Sequence, residues 1–315
     1  MTFDDSFFEG EERNGFYIRP MMKRVWAVEL EIVSVLAEIC ERHNIRWFAD
    51  SGTLLGAVRE KGYIAWDDDI DLAMLRPDYE VFLKYVREEL PEGWLLRNSR
   101  WDPAPYSHTL NIFNSDRIRI DPGFLEQNHG CPYGVGIDIC VLDLLPVDEE
   151  EEEVFRLLAT MAYDCFTLSQ SGLLPDECDD EVKERIQALE ETSGLEFDRS
   201  VPVKPQALQF ADQISAMYYD DPQAADVAII PFYTPNKYNR KPASAYASTI
   251  MMPFENMMLP VPAGYDTVLR VAYGDNYMTP VHAAPAHEYP NFAAEERMLR
   301  RHFEEQGVPF PAEFE

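Results

Sequence analysis

The sequence predicts a mixed α/β (α+β) protein, with a central sheet flanked by helices and an added helical region. Segments with the two-residue alternation of strands and segments with the three- and four-residue spacing of helices follow one another over about residues 20–145. After Pro146 this order gives way to long helical patterns. We therefore expect a core at 20–145, a helical insertion at 146–226 and a C-terminal segment at 227–315 that completes the fold.

The elements of the core can be assigned in order from periodicity and from helix-ending residues. Val25, Ile32 and Ile39 recur at helical spacing before a stop at Asn44. Pro77 suits the first turn of a later helix. The expected elements are a helix at 20–43, a strand at 45–49, a helix from 54, a strand within 64–74, a helix at 77–90 and strands near 107–113 and 135–142.

The second half reads mainly as helices, at 148–171, 179–193, 204–219, 265–273 and 295–303, with a short strand at 227–230. The acidic run from Asp148 to Glu153 permits a metal-site interpretation. We favour the alternative that these acids form a solvated first helical turn, where they complement the helix dipole.

Composition excludes several classes of protein. Of 315 residues, 27 are Lys or Arg and 57 are Asp or Glu, which gives a net charge of −30 and disfavours binding to nucleic acid or to an anionic membrane. No signal peptide or apolar stretch of about 18 residues is visible. The five cysteines form no C-x-x-C pair. We expect a reduced, cytoplasmic protein without a stable membrane anchor, and leave peripheral contact with a lipid-linked substrate open.

The most informative segment contains acids at 67, 68, 69 and 71. On a strand, Asp69 and Asp71 share one face with Cα atoms roughly 6.5–7 Å apart, so their charges repel unless a cation lies between them. Mg²⁺ prefers such oxygen ligands and keeps positions for substrate phosphates. Asp138, between two isoleucines on another expected strand, would supply a third carboxylate if the two strands are neighbours.

A candidate phosphate site comes just before these acids. Ser51, Gly52 and Thr53 follow a strand and begin a helix, where backbone N–H groups can bind phosphate oxygens. Arg59 and Lys61 add positive charge nearby, although either is equally explained as a solvated surface cation.

The residues disfavour two other interpretations of the acidic segment. The spacing of Asp67, Asp69 and Asp71 resembles the start of an EF-hand loop, but Leu72 stands where the turn requires Gly. A solvated acidic turn is the other alternative, and the flanking Trp66 and apolar alternation disfavour it.

The stretch DSGTLLGAVREKGYIAWDDDIDLAMLRPDYEVF resembles the signature of the LicD family, bacterial phosphocholine transferases related to fukutin-type transferases of the nucleotidyltransferase superfamily. Residues 136–143 resemble the next strand of that family. Residues 254–255, 261–266 and 273–280 resemble its C-terminal signature. The matching blocks span about residues 20 to 280.

The resemblance implies a nucleotidyltransferase-like fold and a metal-dependent transferase. It implies that Asp69 and Asp71 bind Mg²⁺ (or Mn²⁺), with Asp67 as a further ligand, and that Asp138 is the third catalytic acid, either base or metal ligand. The implied reaction moves phosphocholine from CDP-choline onto a hydroxyl of a cell-surface glycan, such as lipopolysaccharide or teichoic acid, or its precursor. Two alternatives stay open: nucleotidylation of a small molecule, and a non-catalytic metal-binding scaffold.

A few further residues carry weaker signals. Trp66 could contact a quaternary ammonium group by cation–π attraction, or simply anchor the core. The basic cluster 236–241 could close over a nucleotide or lie in a surface loop. His129 and Cys131 are half of a zinc site at most, and Cys140 is expected to be a packing residue.

Overall fold

The computed structural model describes residues 1–102, 105, 107–282 and 288–314. The helices are α1 Pro20–Arg42, α2 Ser51–Arg59, α3 Arg76–Glu89, α4 Pro122–Gln127, α5 Glu149–Leu168, α6 Asp180–Ser193, α7 Val203–Ser215, α8 Ile230–Tyr233, α9 Tyr265–Tyr273 and α10 Ala293–Glu305. The strands are β1 Glu11–Arg13, β2 Phe16–Ile18, β3 Phe48–Ala49, β4 Asp71–Leu75, β5 Leu95–Arg97, β6 Leu110–Phe113, β7 Gly136–Leu144, β8 Asp226–Ala228, β9 Lys241–Pro242, β10 Thr249–Phe254 and β11 Met257–Pro262.

The central sheet is mixed, and this confirms the predicted fold class. Its main path runs β3-β4-β7-β6-β5, and β8 joins β7 to β9. β4 and β7 are parallel, whereas β3–β4, β6–β7 and β5–β6 are antiparallel. In this register Asp71 lies opposite Asp138, and Asp138 lies opposite Asn111 on its other side.

Helix α1 supplies much of the core against which the sheet packs. Its apolar face buries Val25, Ile32 and Ile39, as the helical spacing predicts. The Trp26 ring stacks on the Tyr63 ring with centroids 4.3 Å apart. α1 thereby fixes the loop between α2 and β4, which carries the acidic segment.

The helices after β7 enclose a second apolar cluster that includes Phe155, Ile186 and Ala207. Asp148 caps α5 by accepting hydrogen bonds from the backbone N–H groups of Glu150 and Glu151, so the acidic run forms a first helical turn as favoured above. This cluster also includes Tyr233, which lies beyond residue 226. The division of the chain at 145 and 226 stays a prediction.

A buried ion-pair network joins this helical region to the sheet. Arg76, at the start of α3, donates to both carboxylate oxygens of Asp143 on β7, at 2.6 and 2.8 Å, and to Asp212 on α7 at 2.6 Å. Arg100 also donates to Asp212 at 2.7 Å and pairs with Glu80. The helical region and the sheet are therefore linked through Arg76 and Asp143, which are shielded from water, and through the partly exposed Asp212 and Arg100.

The structure departs from expectation in the acidic segment and in two hairpins. β4 begins only at Asp71, so the prediction that Asp69 shares a strand face with Asp71 is wrong. The residues before β4 turn, with the Asp67 N–H donating to the Ile64 carbonyl at 2.9 Å. The β1–β2 and β10–β11 hairpins were not predicted. Pro, Met and polar residues dilute the strand pattern there.

Two further sequence features have structural counterparts. The five cysteines are all buried and free. Within the described residues, no helix combines the length and the apolar character that crossing a membrane requires.

Candidate active site

Two parallel strands bring Asp71 and Asp138 side by side. The two residues are direct register partners, and the Asp138 N–H donates to the Ile70 carbonyl at 2.9 Å. Ile70 and Ile139 are buried on the other face of the sheet. Side chains alternate across a strand and adjacent strands lie about 4.8 Å apart, so both carboxylates emerge together on one face.

The Asp71 carboxyl group lies in a crowded acidic environment. Burial and then the charges of Asp69, Asp138, Asp50 and Asp67 raise its pKa well above the ordinary value. All of these influences act in the same direction, because each disfavours the carboxylate form. A cation at this position would relieve the repulsion.

The carboxylates of Asp67, Asp68 and Asp69 form the tightest acidic group found among the described residues, with ligand atoms within 4.8 Å of one another. The predicted metal ligands were Asp67, Asp69 and Asp71. The group in the structure contains Asp68 and leaves out Asp71, because Asp71 begins β4 whereas the other three acids precede the strand. The Asp68 carboxylate accepts a hydrogen bond from the Asn291 N–H at 2.6 Å. The turn before β4 gathers these three neighbours, which strict strand alternation would have separated.

Asp50 adds another buried carboxyl group at the junction of β3 and α2. It is 2% exposed, and its Oδ1 atom has no hydrogen-bond partner within the described part of the chain. Its backbone N–H donates to the Asp71 carbonyl at 3.0 Å. A buried oxygen without a partner is costly, so this atom is a natural ligand position for a cation.

The predicted phosphate-binding turn lies next to these acids. Ser51 starts α2 with a positive φ of 47°, and a Cβ added to Gly52 would lie 2.4 Å from Asp67 Oδ2. Only glycine therefore allows the helix start to approach the acidic segment this closely. Thr53 is buried, and its hydroxyl accepts the Asp71 N–H at 2.9 Å, so it positions β4.

The two predicted cations lie in different settings. The Arg59 side chain is 7% exposed; it donates to Glu60 at 2.6 Å and to the Tyr277 carbonyl at 3.0 Å. Lys61 is exposed and has a positive φ of 62° in the turn after α2. Arg59 therefore joins α2 to the C-terminal segment, and its charge faces a carboxylate.

Two cavities flank the acidic segment. One, of about 340 Å³, is lined by Gly52, Arg59, Asp67 and three aromatic residues, namely Trp66, Tyr273 and Tyr277. The other, of about 250 Å³, is lined by Asp69, Phe113, Gly134, Val135, Gly136, Asp138, Asn291, Phe292 and Glu295. Asn111 donates from Nδ2 to Asp138 Oδ1 beside this second cavity. Asp67 thus lines one cavity, and Asp69 and Asp138 line the other.

Trp66 lies where it could both anchor the core and contact a ligand. It is half-buried against the main apolar cluster, with its ring 6.4 Å from that of Phe16 and 4.8 Å from that of His282. It also lines the larger cavity. Anchoring and ligand contact are therefore compatible roles for this side chain.

The weaker candidates have structural explanations. His129 pairs with Glu31 at 3.3 Å, and burial raises the pKa of the Cys131 thiol to about 12. Arg240 of the basic cluster pairs with Glu152 and Asp226. Burial also raises the pKa of Cys140, which disfavours a thiolate nucleophile.

Sequence reasoning missed four polar residues at the site, namely Asp50, Asp68, Asn111 and Asn291. Asp50 and Asp68 stand inside the quoted motif, so their type and position were available as a signal. Asn111 and Asn291 reach the acids from 27 and 223 residues away along the chain. No local pattern identifies such partners.

Comparison with known proteins finds similarity over the segment that contains the acids at 67–71. The family model for the LicD/FKTN/FKRP nucleotidyltransferase domain matches residues 44–126. A lipopolysaccharide cholinephosphotransferase LicD of Haemophilus influenzae is 37% identical over 78 residues, covering 25% of this chain and 29% of that protein. An uncharacterised protein of Rickettsia typhi is 33% identical over 76 residues, covering 24% and 25%. The chain thus spans less than a third of the length of these relatives.

Proposed function

Because the chain belongs to the LicD family through residues 44–126, we propose that it transfers phosphocholine from CDP-choline to a sugar hydroxyl of a cell-surface glycan or its precursor. Membership in this family supports a transferase activity. The identity of the donor, CDP-choline, and the class of acceptor, a glycan hydroxyl, are proposals.

The observation that carries this proposal is the pairing of Asp71 with Asp138, together with two cavities of which one is lined by Asp67 and the other by Asp69 and Asp138. Transfer of a phospho-substituent requires a donor and an acceptor to meet at one group of carboxylates. The cavities supply the two spaces, and the strand register supplies the meeting point.

The residues present fit a divalent cation. Asp67 and Asp69 belong to the clustered acids, and the charges of both act on the Asp71 carboxyl group. Carboxylate oxygens are the ligands that Mg²⁺ or Mn²⁺ prefers. Asp50 Oδ1, which has no hydrogen-bond partner among the described residues, adds a buried oxygen. When bound, such an ion would neutralise charge on the donor phosphates. We propose these three aspartates as its ligands.

The remaining steps fall to groups of this chain. Backbone N–H groups of Ser51 and Gly52 at the start of α2 bind donor phosphate oxygens. Asp138, held by Asn111, accepts the proton of the acceptor hydroxyl. The hydroxyl oxygen forms a bond to the phosphorus that carries choline, the phosphoanhydride bond breaks, and CMP leaves with the electron pair.

Product analysis tests the proposal. The purified protein is incubated with Mg²⁺, CDP-choline and a lipopolysaccharide preparation lacking phosphocholine, and nucleotides are separated by chromatography. We expect CMP and a glycan that gains phosphocholine. Pyrophosphate release from a nucleoside triphosphate would instead indicate the nucleotidylating alternative, and metal binding without turnover of either donor would indicate the scaffold.

A further inference from the structure

The larger cavity beside the acidic segment is lined by three aromatic side chains from distant parts of the sequence. Trp66 precedes the acids, whereas Tyr273 ends α9 and Tyr277 follows it. The volume of about 340 Å³ lies within the range of small-molecule sites, roughly 300–1,000 Å³. Asp67, which also faces the acidic group, forms part of the same wall.

Two of these aromatic residues, Trp66 and Tyr277, are held in place by specific contacts. The Tyr277 hydroxyl donates to Asp266 at 2.7 Å, and its backbone carbonyl accepts from Arg59. Trp66 packs against Phe16 and His282, which also contact each other. Trp66 and Tyr277 are therefore fixed before a ligand arrives, which lowers the entropy cost of binding.

Arg59 and Asp67 both line this cavity, and Arg59 already pairs with Glu60, so the charge that remains on the wall favours a positively charged ligand. Partial burial, followed by the charges of Asp50, Asp67, Asp71 and Asp69, raises the pKa of Tyr273 above its ordinary value. The negative charge of the acidic group thus reaches the aromatic side of the cavity. Aromatic rings near carboxylates are the surroundings in which proteins bind quaternary ammonium groups.

We infer that Trp66, Tyr273 and Tyr277 form the head-group pocket of the donor and bind its quaternary ammonium. This inference rests on the proposed function, because it assigns one end of the donor to one cavity. It makes the three aromatic residues determinants of specificity. The nucleoside end of the donor lies outside this cavity.

Tyr273 is the best position for a test, because it is 45% exposed and its replacement should leave folding intact. Calorimetry with Mg²⁺ compares CDP-choline, CDP and the neutral isostere in which carbon replaces the choline nitrogen. In the unmodified protein CDP-choline should bind more tightly than the isostere. Tyr273→Leu should weaken CDP-choline by about 5- to 30-fold and leave CDP unchanged.

Tyr273→Phe is the matched control, because it keeps the ring and should keep the preference for CDP-choline. Equal weakening of CDP and CDP-choline in Tyr273→Leu would place the nucleoside in the cavity and overturn the inference. Unchanged affinities for all three ligands would also overturn it. If the unmodified protein turns over CDP-choline while either result holds, the proposed function stands and only the head-group assignment fails. Absence of CDP-choline turnover would overturn both.

Discussion

Strand β7 carries two acids five residues apart that lie in opposite electrostatic settings. Asp143 is 2% exposed and meets the guanidinium of Arg76 through two hydrogen bonds. Asp138 lies across from another carboxylate, that of Asp71. A buried acid with a paired cation holds architecture together. Acids gathered against one another are costly to the fold and therefore indicate a ligand that offsets the cost.

We expect the largest effect from a change in the crowded acidic group, at Asp71 on β4. Asp71→Asn removes a proposed ligand, so we expect turnover to fall by at least about 10⁴-fold, the scale of several kcal/mol of lost charge stabilisation. The free energy of unfolding should stay the same or rise, because one repulsive charge is gone. Steady-state rates and urea denaturation measure the two quantities, with exposed Asp180→Asn as control. Turnover near the unmodified rate would remove Asp71 from the site.

Asp138→Asn sharpens the distinction within the site. If Asp138 is the base, the rate should fall by about 10²–10⁴-fold while donor affinity changes little. Single-turnover rates and calorimetry with CDP-choline separate the two. A parallel loss of donor affinity would make Asp138 a metal ligand instead.

A change in the Arg76–Asp143 pair should instead lower the free energy of unfolding. Arg76→Met leaves Asp143 buried without its cation, whereas Asp212 keeps Arg100, and we expect a loss of about 3–5 kcal/mol in the free energy of unfolding. Arg42→Met, which breaks an exposed pair with Glu89, should cost at most about 1 kcal/mol. Urea denaturation measures both. Equal, small losses would mean that burial adds nothing to the Arg76 network.

The smallest effect concerns Glu29 on α1, a buried acid that accepts a hydrogen bond from Tyr63 at 2.7 Å. Burial, and then the acids at 67–69, raises its pKa well above the ordinary value. The folded state therefore holds a proton that the unfolded state releases above about pH 4.3, so stability falls as pH rises toward the folded pKa. Glu29→Gln removes this dependence. Its stability relative to the unmodified protein should increase from pH 5.5 to pH 8, whereas exposed Glu41→Gln should show no such trend.

The sequence predicted most of the fold, because periodic apolar faces specify their own elements. α1 and α3 begin and end within about a residue of expectation, and α9 matches it. The strand after the acidic segment was predicted to begin too early. The apolar alternation of Ile70, Leu72 and Met74 starts in the turn that precedes β4. The unpredicted β10–β11 hairpin lacks a strong strand pattern.

The candidate site was predictable only where its residues are local in sequence. The motif itself identifies Asp67, Asp69 and Asp71, and the alternation around Asp138 places that side chain on a polar face. Asn111 and Asn291 were not predictable, because strand order and long-range packing bring them to the acids. The Arg59–Tyr277 contact belongs to the same class, since it joins segments 218 residues apart.

The strand order also shows that the family match leaves out part of the central sheet. β7 lies between β4 and β6, yet it follows residue 126, where the family match ends. The matched block alone would therefore be a sheet with its middle strand missing, and it would lack Asp138. A segment intended to carry the proposed activity into another protein must therefore extend at least through Leu144, beyond the segment that the family model detects.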